Sequence, residues 1–452
     1  MDETLLQNAA KRSLHYLEQI QDRSVHPDPK ATEQLKQLDE PLPPTGTDPG
    51  SVLHLLDERC SPATMGMAGP RFFGFVIGGS LPVALAANWL AGAWDQNSAL
   101  YQASPGTAHV EQVALRWLLE LFGLPRESGG AFVTGATVAN FTALAAARHS
   151  VYVKAGWDIE GNGLIGAPAV TVIISKEAHP SVFKSLGLLG LGRNRVVRMP
   201  VDSQGRMNAD KLPALKGPTI VCVQAGNVNT GAFDPIDVIC KKAHDSSAWV
   251  HVDGAFGLWA AAAPSRVHLT KGMSDADSWA TDAHKWLNVP YDSGLAFVGD
   301  RESLRTAMAI TAEYLPTETE NRNPSDYVPE LSRRARGVEI WAALKFLGRS
   351  GVADLIERTC RHARRFAEGL AAAGYEILND VTLNQTLVSF GNAETTLRVI
   401  ADIQREGTCW SGSTVWQGRT AMRISVSSWA TTDEDVERSL AAMIRCARHH
   451  TK

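Results

Sequence analysis

Hydrophobic positions change their period along this chain. Near the start, Leu5, Leu6, Leu14, Leu17 and Ile20 fall close to helical spacing and predict a helix over roughly residues 3–21. Residues 39–50 hold Pro41, Pro43, Pro44, Gly46, Pro49 and Gly50 and read as a linker, followed by a second amphipathic segment over 52–58. From about Gly74 to Phe346 short apolar or β-branched runs alternate with helical stretches. The pairs are 131–133 with 138–148, 169–175 with 180–189, and 219–224 with 235–245, followed by runs at 249–252, 278–281 and 294–298. This alternation predicts an α/β fold with a mainly parallel central sheet and helices on both faces. The last part mixes helical stretches with strands near 386–390 and 421–426. The expected organisation is an N-terminal helical arm (1–73), a large domain (74–346) and a small C-terminal α/β domain (347–452). The most apolar run, 83–94, holds Asn88 and is followed by Asp95. It is shorter than the roughly 18–20 residues that span a bilayer and reads as a buried helix.

Composition narrows the class. The chain has 452 residues, 44% apolar and 20% charged, with a formal net charge of −4. That length exceeds one ordinary core. There is no basic run and no interleaving of aromatic with basic residues, so nucleic acid and membrane are not expected partners. The start, Met1-Asp2-Glu3-Thr4, lacks the basic and apolar regions of a signal peptide. Six cysteines are scattered without C-x-x-C spacing. Neither a metal site nor a disulfide framework is expected, and the chain reads as cytoplasmic.

Five strand-to-loop junctions carry candidate chemistry, and each has an ordinary structural alternative. Thr281-Asp282-Ala283-His284-Lys285-Trp286 places a lysine between two apolar runs. A lysine that attacks a carbonyl needs a sheltered cleft where its amine can lose a proton; alone, it is as readily a snorkelling side chain. Asp253 ends the run His251-Val252-Asp253 and is followed by small residues. Such a carboxylate stands at the ligand edge of an α/β sheet, or caps a helix. Val133-Thr134-Gly135-Ala136-Thr137 joins a strand to a helix with small and hydroxylated residues, suited to a phosphate or to a tight packing turn. His179, in Glu177-Ala178-His179-Pro180, can stack on a planar ring or be merely structural. Asn227, in Gly226-Asn227-Val228-Asn229-Thr230-Gly231, lies in a polar loop that can touch a ligand or simply turn.

In this order and spacing the junctions resemble the group II pyridoxal-dependent decarboxylases, the family of aromatic-L-amino-acid, glutamate and histidine decarboxylases. The resemblance runs from Gly69-Pro70-Arg71-Phe72-Phe73-Gly74 through Ala103-Ser104-Pro105-Gly106-Thr107 to Arg423-Ile424-Ser425. It implies the fold of the pyridoxal-phosphate-dependent transferases (fold type I), with pyridoxal 5′-phosphate as cofactor. It implies that Lys285 carries the cofactor as a Schiff base and that His284 lies near the phosphate. Asp253 would face the pyridine nitrogen, Ala255 one face of the ring and His179 the other. Ala136 and Thr137 would bind the phosphate, and Asn227 would touch the cofactor. Tyr327, within 317–330, sits where the family has a mobile loop bearing a catalytic tyrosine. Tyr327 and His179 are thus the candidate proton donors. A homodimer with the active site at its interface is also implied.

Several positions depart from the family pattern. Val138 stands where a glutamate is common, Asn227-Val228 replaces Thr-Thr, Asp282 replaces asparagine and Gly254 replaces alanine. Phe75 and Tyr101 keep an aromatic character expected near an aromatic substrate, whereas Val76, Ile77 and Ala99 do not. The implied reaction is decarboxylation of an L-amino acid, with the aromatic type favoured, to an amine and CO₂. An aldehyde synthase, an aminotransferase and a C–C lyase share the fold and stay open, as does a non-catalytic member. A nicotinamide enzyme is disfavoured: Gly187-Leu188-Leu189-Gly190-Leu191-Gly192 lacks G-x-G-x-x-G spacing.

Overall fold

The computed structural model describes residues 3–310 and 321–450. Two compact units emerge, residues 80–361 with 379–385 and residues 1–79 with 362–378 and 386–452. The three-part division expected from sequence does not match them, because the N-terminal segment belongs with the C-terminal one. The reason is local pairing. The Arg71 guanidinium is buried and donates to the carbonyls of Gln21 and Thr408 and to the Asp435 carboxylate at 3.0 Å. Phe72 bridges Trp410 in parallel, and their rings stack at 5.0 Å.

The larger unit is built on a seven-stranded sheet. Its strands are β1 (Gly129–Val133), β2 (Thr171–Ser175), β3 (Val196–Met199), β4 (Thr219–Gln224), β5 (Trp249–Asp253), β6 (Ser278–Asp282) and β7 (Gly294–Val298), in the spatial order β1-β7-β6-β5-β4-β2-β3. β2 to β6 pair in parallel, while β7 runs antiparallel between β6 and β1. β1, β4, β5, β6 and β7 are buried along their whole length, as expected of a sheet covered on both faces. The helix Ala136–Lys154 lies on it through Ala139, Ala143, Ala146 and Ala147, whose short side chains let helix and sheet approach closely. The smaller unit holds a four-stranded sheet formed by Glu376–Ile377, Gln385–Ser389, Gly412–Trp416 and Arg419–Ser425.

Two expectations need correction. The apolar run near 83–94 does form a helix, Pro82–Trp94, but not a buried one. Only Ala84 and Ala87 are buried, and Trp89, Leu90 and Trp94 are exposed. Apolar side chains surround this helix, so packing one stripe of alanines against Ala335, Val338 and Ala342 leaves the bulky ones outside. The second correction concerns Tyr327. Residues 311–320 of its stretch lie outside the described residues, but Tyr327 itself ends a short 3₁₀ turn, Pro324–Tyr327, and is 3% exposed. Its hydroxyl accepts from Arg301 Nε at 2.9 Å, and the Arg322 guanidinium lies 4.5 Å from its ring centroid. It is a core side chain rather than a loop residue presented to a substrate.

The anchor beneath Tyr327 is a buried charge cluster. Glu111 pairs with Arg322 at 2.8 Å and with Arg333 at 2.7 Å, and the Arg333 guanidinium also donates to the carbonyls of Ser98 and Phe132. Removing the shared carboxylate charge leaves two buried cations facing each other. Glu111→Gln is therefore expected to destabilise the protein by about 3–5 kcal/mol. Urea denaturation followed by tyrosine and tryptophan fluorescence measures this, and a midpoint equal to wild type would show that the cluster is not structural.

Candidate active site

Because β1, β2, β4, β5 and β6 run in one direction, their C-terminal ends lie along one edge of the sheet, where ligands bind in open α/β folds. The register is specific: Gln224 of β4 pairs with Asp253 of β5, which pairs with Ala280 of β6. Residues in one such row project from the same face. Two residues back along β5, on that same face, His251 bonds Asn140 of the covering helix at 2.8 Å. Gln224 and Asp253 are thus directed toward the N-terminal end of helix Ala136–Lys154.

That helix begins at Gly135, whose backbone is extended and offers no capping side chain. The cap comes instead from β6, where Asp282 Oδ1 accepts the Ala136 N–H at 2.6 Å. The other oxygen, Oδ2, lies 2.9 Å from Lys285 Nζ. A buried frame holds this turn. Trp259 Nε1 donates to the Asp282 carbonyl, Trp286 Nε1 to Thr359 Oγ1, and Asn288 Nδ2 to the Trp286 carbonyl. His284 accepts the Ser293 N–H at Nδ1 and stacks on Tyr291 at 4.2 Å, so in the neutral ring its proton sits on Nε2, 3.5 Å from Asp282 Oδ1. Burial lowers the His284 pKa, against an upward pull from Asp282. The approach is tight: a Cβ on Gly294 would lie 2.4 Å from Gly135 Cα, and one on Gly135 would lie 3.2 Å from His284 Cε1.

Asp253 is 6% exposed, and its Oδ1 accepts the Ala255 N–H. Burial pushes its carboxyl above the ordinary carboxylate range, while the charges of His179 and Lys285 pull it back. The three groups therefore share one electrostatic neighbourhood. His179 caps helix Pro180–Leu188, with Nδ1 receiving the Ser181 N–H at 3.2 Å and contacting Ser181 Oγ at 2.8 Å. Ala255 is half-buried, and its carbonyl accepts the Asp282 N–H. Thr137 is half-buried in the first turn of its helix, where N–H groups have no partner within the helix. Asn227 is committed to bonds within the protein. Its Oδ1 accepts from the N–H groups of Asn229 and Thr230, and its Nδ2 donates to the Glu177 carbonyl. Tyr327 is held in the core described above and is not among these groups.

One residue was missed in the sequence. Gln224 is 4% exposed, and its Nε2 has no hydrogen-bond partner among the described residues. A buried unpaired amide costs about 1–3 kcal/mol unless a ligand satisfies it. The available signal was its position, a polar residue ending an apolar strand at the same edge as Asp253. Together, an orphaned donor, a carboxyl raised by burial, a lysine and a helix N-terminus suit a flat, polar, anionic ligand with a cationic ring nitrogen. The chemistry of pyridoxal phosphate matches this set.

Comparison with known proteins agrees. The family model for the pyridoxal-dependent decarboxylase conserved domain matches residues 33–392, and the chain belongs to that family of pyridoxal-phosphate-dependent carboxy-lyases. It is 26% identical over 423 residues to an aromatic-L-amino-acid decarboxylase of Bacillus atrophaeus, covering 88% of this chain and 85% of the relative. To an L-2,4-diaminobutyrate decarboxylase of Rhizobium meliloti (strain 1021) it is 28% identical over 440 residues, covering 91% and 86%. To an acidic amino acid decarboxylase of Homo sapiens it is 30% identical over 365 residues, covering 76% and 68%. Among solved structures, the Oryza sativa TDC crystal structure with PLP and tryptamine superposes with a TM-score of 0.91 at 21% identity, over 99% of this chain and 98% of that one. The Rhodiola rosea 4-hydroxyphenylacetaldehyde synthase superposes at 0.87 and 21%, over 100% of both. The sequence-based expectation of the family, its fold and its cofactor is borne out.

Proposed function

We propose that this enzyme decarboxylates an aromatic L-amino acid, with Lys285 as the covalent anchor of its cofactor. The observation that carries the reading is the meeting of Lys285, Asp253 and His179 at one sheet edge beside a helix N-terminus. Bound there, pyridoxal phosphate supplies an electron sink for the pair left at Cα when CO₂ departs. Asp253 holds a proton on the ring nitrogen, so the charge that burial disfavours gains a partner. His179 and Ala255 would face the cofactor ring. Thr137 and His284 would hold the phosphate, the Ala136 N–H expected for it being taken by Asp282, and Gln224 Nε2 would donate to a ring or substrate oxygen. Asn227 acts by shaping its loop. The aromatic preference is supported by the Bacillus relative. Relatives named for acidic and diaminobutyrate substrates, and a neighbour named as an aldehyde synthase, make the product pattern the quantity to measure.

Tyr327, bound to Arg301 in the core, is withdrawn as the proton donor. The other tyrosine of that stretch, Tyr314, lies outside the described residues. We assign to His179, the other candidate, the return of a proton to Cα as well as the holding of the ring. We also assign a homodimer, because Trp89, Leu90 and Trp94 on one helix and Leu6 and Leu14 on another are exposed. Each is an apolar patch of the kind that marks an interaction site.

Four outcomes follow. Borohydride should remove the visible absorbance of the holoenzyme and leave a reduced pyridoxyl group on Lys285, located by peptide mass spectrometry. A panel of L-amino acids should yield amine and CO₂ best from an aromatic one. A label elsewhere, or no amine from any aromatic substrate, overturns the reading. Asp253→Asn keeps the shape and removes the charge, so turnover should fall roughly 10²–10³-fold, about 3–4 kcal/mol, with cofactor still bound; a near-normal rate would make Asp253 structural only. Light scattering at micromolar concentration should give twice the chain mass, and an active monomer refutes the dimer.

A further inference from the structure

His251 is buried, ionisable and without a role in the chemistry above. It shares a face of β5 with Asp253, two residues away, and is 0% exposed. Both its nitrogens are engaged: Nδ1 lies 2.9 Å from Ser278 Oγ, and Nε2 lies 2.8 Å from Asn140 Oδ1. Burial alone lowers its pKa to about 3, so the ring is neutral and carries one proton.

The position of that proton follows from a longer chain of hydrogen bonds. At one end, Trp249 Nε1 can only donate, and it donates to Ser278 Oγ at 2.9 Å. Ser278 Oγ keeps a second lone pair and its own hydrogen, and in the direction set from the far end that hydrogen points at His251 Nδ1, which leaves the His251 proton on Nε2. Asn140 must present Oδ1 to that proton, so its Nδ2 faces Ser181 Oγ, at 3.4 Å. Ser181 Oγ, having accepted, directs its hydrogen to His179 Nδ1 at 2.8 Å. At the far end, the Ser181 backbone N–H can also only donate, and it too points at His179 Nδ1. The Ser181 end thus sets the direction, and the Trp249 bond is compatible with it. Trp249, Ser278, Asn140 and Ser181 are all buried, so no water competes for these bonds.

We propose that His251 is a positioning residue which, through Asn140 and Ser181, locks His179 as the tautomer protonated on Nε2 and fixes the plane of its ring. The contribution of His179 to catalysis rests on the decarboxylase reading above; its tautomer does not. With Nδ1 receiving two donors, His179 presents Nε2–H to the site as a hydrogen-bond donor and keeps one ring orientation. The relay is needed because Asn140 alone could turn its amide over. Then Ser181 Oγ would give its hydrogen to Asn140, and the Ser181 N–H alone would hold His179.

Long-range ¹H–¹⁵N spectra of protein labelled at histidine, assigned with His179→Gln and His251→Leu, test this without added cofactor. Wild type should show His179 with a bare Nδ1 and a protonated Nε2. His251→Leu breaks the relay, and the His179 signals should move toward tautomer averaging. His251→Gln offers an oxygen to Ser278 and an N–H to Asn140, and should restore the wild-type signature. Ser181→Ala removes the last link and gives a second reading should His251→Leu fold poorly. In the holoenzyme, kcat should fall at least tenfold in His251→Leu and recover in His251→Gln. A His179 protonated at Nδ1 in wild type, or a folded His251→Leu and Ser181→Ala with unchanged His179 signals, overturns the proposal, even if the decarboxylase activity stands.

Discussion

The Asp282 carboxylate joins three parts of this site at once. One oxygen caps helix Ala136–Lys154 from a different strand, the other holds Lys285 Nζ, and His284 stands close by. Anions at a helix N-terminus are stabilised by about 0.3–1 kcal/mol when exposed and up to about 2 kcal/mol when partly buried. Here the anion belongs to the protein. The helix start, the lysine turn and the end of β6 are therefore set relative to one another by the chain itself. The close contact of Gly294 with Gly135 has the same effect through sterics, since any larger residue there would push the helix away. This arrangement also has a cost. Lys285 must leave Asp282 before Nζ forms a covalent bond, and a phosphate arriving at this helix meets a carboxylate already on its first N–H. The first-turn N–H groups beyond Ala136 are what remain for it.

The second constraint is polar satisfaction inside a dry sheet. β5 carries His251 and Asp253 on one face, and the two have opposite fates. His251 is fully paired and is neutral because burial leaves it no reason to charge. Asp253 has one backbone N–H and the nearby Lys285 and His179, whose pull does not offset its desolvation. Gln224, in the same row, has a donor with nothing among the described residues to receive it. A fully paired polar chain rigidifies a core, whereas a partly paired one is costly and marks where a ligand belongs. The boundary between the two runs between His251 and Asp253, and it separates scaffold from site.

Much of this was readable from residue order. Strand–helix alternation is visible because fully buried parallel strands are short continuous apolar runs. Their C-terminal ends stand out because polar or small residues follow, as Lys285, Asp253, His179 and Thr137 show. What escaped depends on neighbours remote in sequence. Tyr327 lies in a polar, Pro-interrupted stretch and still buries, because Glu111, some two hundred residues earlier, neutralises Arg322 beside it. Arg71 draws the N-terminal segment into the smaller unit through Asp435, a pairing no local pattern announces. Asn227 has the composition of a ligand loop but spends its amide on bonds within the protein. Gln224 looked like the tail of a strand, and only the absence of a partner distinguishes it.

The unmet needs at this edge are complementary to one another, which is the strongest physical reason to read them as one site. Asp253 lacks a cation close enough to offset its burial, Gln224 lacks an acceptor, and Lys285 is a cation parked on a neighbouring carboxylate. A ligand that was only an anion would satisfy the helix and Gln224 but worsen Asp253. One that was only a cation would relieve Asp253 but compete with Lys285. A planar ring with a protonatable nitrogen at one end, an oxygen on its side and an anionic arm answers all three together, and an aldehyde on the same ring uses the lysine as well. His179, held in one plane by a buried chain of hydrogen bonds, then supplies what the ionic groups do not, a fixed surface against which such a ring can lie flat.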